Sequence, residues 1–192
     1  MDFYRGDDRN FFQSDIHENG FEPRYRRADR KEGYDLFEQF KSERPKAIDL
    51  KMFLQGSPQH GVVATSLATS GAYEGKGQLY KISIPDNELV ALSLDKNLNV
   101  VKQVPLADLL DKDDFYLIYT GQSPQSSELV GFVHKGGVRE ATFFNPIPLR
   151  YIAGTMTQPR GSDKYVCLPV PQKDKQDWFK GLGKGPAPAP PR

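Results

Sequence analysis

Gly61-Val62-Val63-Ala64-Thr65-Ser66-Leu67 is the stretch on which the fold turns, because here the apolar residues stop recurring at helical spacing and begin to follow the two-residue period of a strand. Downstream of it, β-type runs fall at 61–64, 78–84, 100–104, 115–119, 129–134, 139–144 and 165–170. Short helical patches at 67–73 and 106–110 interrupt them.

Upstream, the pattern is helical after a short strand at residues 2–5. Phe11, Phe12 and Ile16 share one face of a first helix over 9–18, which Gly20 stops. Leu36, Phe37 and Phe40 mark a second helix over 34–43, ended before Pro45, and a third runs over 48–54 to Gly56. Helices first and strands afterwards predict an α+β fold, a helical N-terminal half followed by a mixed two-sheet β core, and argue against alternating βαβ units of the dinucleotide-binding type.

A chain of 192 residues can bury one substantial core. We therefore expect one domain over residues 1–172 and a Gly/Pro-rich tail or linker over 173–192. That tail ends in Pro186-Ala187-Pro188-Ala189-Pro190-Pro191, which has no apolar face to bury, and Trp178 is expected to pack it against the core.

Lys and Arg number 26 against 25 Asp and Glu, so overall charge drives the chain towards neither nucleic acid nor anionic membrane. Arg24, Tyr25, Arg26, Arg27, Arg30 and Lys31 form the one dense basic cluster, read as a solvated face or a local surface for a backbone phosphate or an acidic protein. Cys167 is the only cysteine, which excludes an intramolecular disulfide framework. His17, His60 and His134 lie far apart without ligand-spaced companions, so no metal is expected. No apolar run reaches the length of a membrane span and Met-Asp-Phe-Tyr-Arg lacks the character of a leader, so a soluble protein is expected.

Three short segments carry possible chemistry. Tyr4-Arg5-Gly6-Asp7-Asp8-Arg9 places arginines at the end of the first strand, where a guanidinium fork can hold a phosphate with two parallel hydrogen bonds. Thr65 and Ser66 close an apolar strand with two hydroxyls. Gly136-Gly137-Val138-Arg139-Glu140-Ala141-Thr142-Phe143 presents a glutamate at the start of a strand. Each alone is ordinary: a strand-end charge, a helix cap, an edge carboxylate.

In their order and spacing they resemble the ADP-ribosylating toxin family of the cholera, heat-labile and pertussis catalytic chains. Tyr4-Arg5-x-Asp7-x-Arg9 is similar to the arginine strand, and Asn19-Gly20-Phe21 to the Gly-Phe turn after it. Val63-Ala64-Thr65-Ser66 is similar to the Ser-Thr-Ser segment, with Ala64 in place of the first serine. Val138-x-Glu140, followed by Ile147-Pro148 and Ile152-Ala153-Gly154, is similar to the glutamate strand and its sequel. The resemblance covers residues 2–154.

What it implies is a mono-ADP-ribosyltransferase that cleaves NAD at the nicotinamide–ribose bond. Glu140 would be catalytic, and Arg5, Asp7, Arg9, Thr65 and Ser66 would bind NAD as substrate, without a metal. Val138 stands where the family carries Glu or Gln to engage the acceptor, so an arginine acceptor is less expected; His134, Val138 and Arg139 are the candidate acceptor contacts. The implied setting is a toxin or effector, secreted or delivered into the cytosol of a target cell, with a macromolecular acceptor there, protein before nucleic acid. A delivery or immunity protein could accompany it. An RNA- or DNA-modifying transferase, a side activity of NAD hydrolysis and a non-catalytic partner-binding relative are the alternatives.

Overall fold

Strands rich in Val, Ile, Phe and Tyr need partners for their backbone N–H and C=O groups, and here nearly all of them find those partners in one sheet. The computed structural model describes residues 1–9, 16–23, 62–72, 77–95, 97, 99–111, 115–134 and 140–169. Among them are ten strands: β1 (Asp2–Asp7), β2 (Val63–Ser66), β3 (Gln78–Ser83), β4 (Leu89–Leu94), β5 (Val100–Gln103), β6 (Phe115–Thr120), β7 (Val130–His134), β8 (Glu140–Phe143), β9 (Ile152–Thr157) and β10 (Val166–Pro169). They form a single sheet in the order β10-β9-β3-β1-β2-β8-β7-β6-β4-β5, every neighbouring pair antiparallel.

This corrects the expected α+β architecture with two sheets. The described residues are β-rich and hold only two α-helices of four residues each, α1 (Ile16–Asn19) and Asp108–Asp111. The expected helices at 34–43 and 48–54, the basic cluster at 24–31 and the tail from 173 lie outside the described residues. The helical patch over 67–73 is a single 3-10 turn, Thr69–Gly71. Two strands lack the expected signal altogether. In β4, Leu89-Val90-Ala91-Leu92-Ser93-Leu94 is almost continuously apolar because both faces are covered, Leu89 and Ala91 joining one core cluster and Val90, Leu92 and Leu94 packing with another. In β9, Gly154 interrupts the run.

The sheet folds over on itself. Six strand spacings separate β3 from β4, about 29 Å if the sheet were flat, but residues 84–88 can span only about 20 Å. The arm β10-β9-β3-β1 therefore faces the arm that runs from β2 to β5. Phe3, Tyr80, Ile82 and Ile84 of the first arm share one buried core with Ala91, Tyr116, Ile118, Val133 and Phe143 of the second. Burying each such large side chain contributes about 2–3 kcal/mol. Phe3 and Phe143 meet edge to face at 5.3 Å. Tyr151, in the 3-10 turn before β9, clasps the arms by donating its hydroxyl to Glu88 Oε2 at 2.7 Å, just ahead of β4. A second apolar cluster, including Leu117, Tyr119, Phe132 and Phe144, lies on the other face of β6 and β7.

The arms are joined at a thin seam. β1 pairs with β3 over six residues but registers with β2 at one pair, Tyr4 with Ser66. At the end of α1, Gly20 takes a φ of 71°, the left-handed conformation expected of a helix stop. That turn delivers Phe21 into a two-bond bridge with Ile147, at 3.0 and 2.9 Å. No helix among the described residues is long and apolar enough to cross a membrane.

Candidate active site

The three segments singled out in the sequence become consecutive strands. β1, bearing Arg5, lies beside β2, bearing Thr65 and Ser66, which lies beside β8, bearing Glu140. The Gly-Phe turn and the Ile147-Pro148 segment, distant in sequence, are the two halves of the Phe21–Ile147 bridge.

Around the seam, the end of β1 builds a charged cluster. Arg5 donates to Asp7 Oδ2 from Nε and Nη2, at 3.2 and 3.0 Å, and from Nη1 to the carbonyl of Ala64 at 2.7 Å. Arg9 holds the other side of the same carboxylate, Nε to Oδ1 at 2.9 Å and Nη2 to Oδ2 at 3.0 Å, and its backbone N–H also reaches Oδ1. The Arg5 guanidinium lies over the Phe21 ring, 5.2 Å from its centroid.

Asp7 is 8 % exposed. Burial works to raise its pKa, but the hydrogen bonds from Arg9 and the charge of Arg5 outweigh it and hold the carboxyl at about 2. Of the two cations Arg9 is the more open, 31 % exposed against 14 % for Arg5.

Strand alternation divides the remaining residues. Thr65 turns to the core face, where its hydroxyl donates to the carbonyl of Ala141 at 2.7 Å and ties β2 to β8. Ser66 turns the other way and stands directly across from Glu140, while Tyr4 stands across from Ser66 on its far side. Glu140 in turn faces His134 of β7. Tyr4, Ser66, Glu140 and His134 thus form one row on a single face of four adjacent strands. Ser66 is buried and the other three are half-buried. The Ser66 hydroxyl also accepts the N–H of Ala68 at 3.2 Å.

The structure accordingly places the candidates in two groups: Arg5, Asp7 and Arg9 at the end of β1, and Ser66, Glu140 and His134 in the row. The two groups sit on opposite faces of the sheet, since Arg5 alternates with Tyr4 and shares the core face with Phe3 and Tyr80; the bond from Arg5 to the Ala64 carbonyl joins β1 to β2 at the seam between them. Val138 and Arg139 lie outside the described residues. Two contributors were missed from the sequence. Thr142, buried, donates its hydroxyl to Glu140 Oε1 at 3.3 Å; being two residues on along the same strand, it was findable from alternation. Tyr4 was quoted as part of a motif without a role, and only the β1–β2 register brings it to Ser66.

No model of a known protein family matches the chain, and no curated protein matches it. Among the described residues, no group of three or more His, Cys, Asp and Glu is placed to hold a metal ion.

Proposed function

We propose that this chain is a mono-ADP-ribosyltransferase, cleaving NAD at the nicotinamide–ribose bond and passing ADP-ribose to a protein acceptor inside a target cell, as a toxin or effector would. The observation that carries this reading is the adjacency of the Arg5, Ser66 and Glu140 strands, with Ser66 opposite Glu140. A fold requires neighbours for each strand; it does not require that an arginine cluster, the paired hydroxyls and the carboxylate be those neighbours.

Loss of nicotinamide leaves positive charge on the ribose, in a transition state resembling an oxocarbenium ion. A carboxylate fixed beside that centre stabilises it by a few kcal/mol, because it need not reorganise as the charge appears. Glu140 supplies this carboxylate, oriented by the Thr142 hydroxyl, with Ser66 across the strand pair. Arg9, the more open guanidinium at the end of β1, supplies donors that suit the pyrophosphate, with Asp7 and Arg5 behind it fixing its plane. Thr65 holds β2 against β8, and so fixes the spacing between Ser66 and Glu140.

The test compares the wild-type chain with Glu140→Ala for nicotinamide release from NAD and for labelling of a whole-cell lysate by labelled NAD. Release and protease-sensitive label that both vanish in the variant support the proposal. Nuclease-sensitive label would move the acceptor to RNA or DNA. Identical behaviour of the two chains would leave a binding protein on the same scaffold.

A further inference from the structure

The register between β7 and β8 puts His134 directly across from Glu140, on the side of the carboxylate away from Ser66. Residues so opposed have Cβ atoms about 5 Å apart, so the imidazole and the carboxylate border the same space. His134 is half-buried, within reach of an incoming molecule. From β6 the ring of Phe115 packs against it edge to face at 5.7 Å and limits its motion away from that space.

Resting on the transferase reading, we propose that His134 is the catalytic residue that takes the proton from the acceptor, and that the acceptor is a side-chain hydroxyl. The bond from ribose C1′ to the nicotinamide nitrogen breaks and nicotinamide leaves with its electron pair. The acceptor oxygen then forms the new bond to C1′. Its proton, made acidic as that bond forms, passes to an imidazole nitrogen of His134 and from there to water. NAD and alcohol give the ADP-ribosyl O-glycoside, nicotinamide and one proton, so charge and atoms balance.

The chemistry of the base selects the acceptor class. An imidazole titrates near 6.5, far too low to take a proton from a guanidinium, which stays charged above pH 12. A thiol, with a pKa near 8.5, is already partly ionised and gains little from a base. A neutral hydroxyl gains most, because it must lose its proton during attack.

Azide provides the discriminating probe, since it is a nucleophile with no proton to lose. The full chain and its His134→Gln and His134→Ala variants are given NAD with N-acetylserinamide, agmatine or azide, and each ADP-ribosyl product is quantified. We expect wild type to modify the serine probe in preference to agmatine. In both variants the ratio of azide product to serine product should rise about a hundredfold. A residue that only supports the fold would lower both products together and leave the ratio unchanged, which overturns the assignment, as does preferential modification of agmatine by wild type. Should the alanine variant fail to fold by circular dichroism, the glutamine variant decides. Failure of wild type to release nicotinamide at all removes the transferase reading itself, and differs visibly from a failure confined to His134.

Discussion

Ser66 and Glu140 face one another across β2 and β8, a hydroxyl set beside a carboxylate in the row that runs from Tyr4 to His134. The pairing gives the carboxylate a fixed neighbour without neutralising it. Glu140→Gln keeps size and strand pairing but removes the charge, and should lower nicotinamide release by about two to three orders of magnitude, close to 3–4 kcal/mol of barrier. Ser66→Ala should cost less, about threefold, as the loss of a polar neighbour across the strand pair from the carboxylate. Steady-state nicotinamide assays on the two variants check this; full activity in Glu140→Gln would rule out Glu140 as the stabilising group.

Thr142 acts on the same carboxylate from its own strand, through the 3.3 Å bond to Oε1. Thr142→Val replaces the hydroxyl by a methyl of similar shape. The variant should lose about threefold to tenfold in turnover, and its unfolding free energy should stay within about 1 kcal/mol of wild type. A parallel urea titration and rate measurement separate the two effects; an unaltered rate would mean that Glu140 is held by other contacts.

Asp7 gives the chain an acid-sensitive joint. Its folded pKa of about 2 lies below the ordinary carboxylate value of 3.8, so its ionised form stabilises the fold above pH 4 and that contribution disappears as pH falls towards 2. The amount is on the order of 2 kcal/mol. Asp7→Asn should therefore be less stable than wild type at pH 6, and the gap should narrow steadily between pH 4 and pH 2. Denaturant melts across that range are the check, and a gap independent of pH would contradict the assignment.

Phe3 and Phe143 carry the core across the seam, edge to face at 5.3 Å. Both are fully buried. Phe143→Ala should cost about 3–5 kcal/mol through lost burial and the cavity left behind, while Phe143→Leu should cost well under half of that. Thermal unfolding resolves the difference. Equal losses in the two variants would show that cavity size does not set the penalty here.

The strands that carry the candidate residues were legible in the sequence; the architecture that joins them was not. Arg5, Ser66 and Glu140 could be found because each ends or begins a strand beside residues of distinctive chemistry, and strand ends are local features. Which strands become neighbours is not local: the carbonyl that Thr65 bonds belongs to a residue 76 positions further on. That is why a period of two predicted strands correctly at β3, β6 and β7 but could not tell one curled sheet from two separate ones. β4 escaped for a different reason, since apolar clusters on both of its faces erase the polar half of the alternation by which strands are read. The place of His134 opposite Glu140 depends on register alone, and a slip of one residue would turn it to the other face.

The single registered pair between β1 and β2 also bears on how the molecule comes together. Pairing within the arm from β4 to β8 joins segments near in sequence, whereas Tyr4 must meet Ser66 across a long intervening stretch of chain, the kind of closure that slows folding. Arg5 belongs to one side of that closure and Glu140 to the other. A chain that has organised only one arm holds half of the candidate chemistry and can perform none of it, so turnover would report completion of the whole sheet.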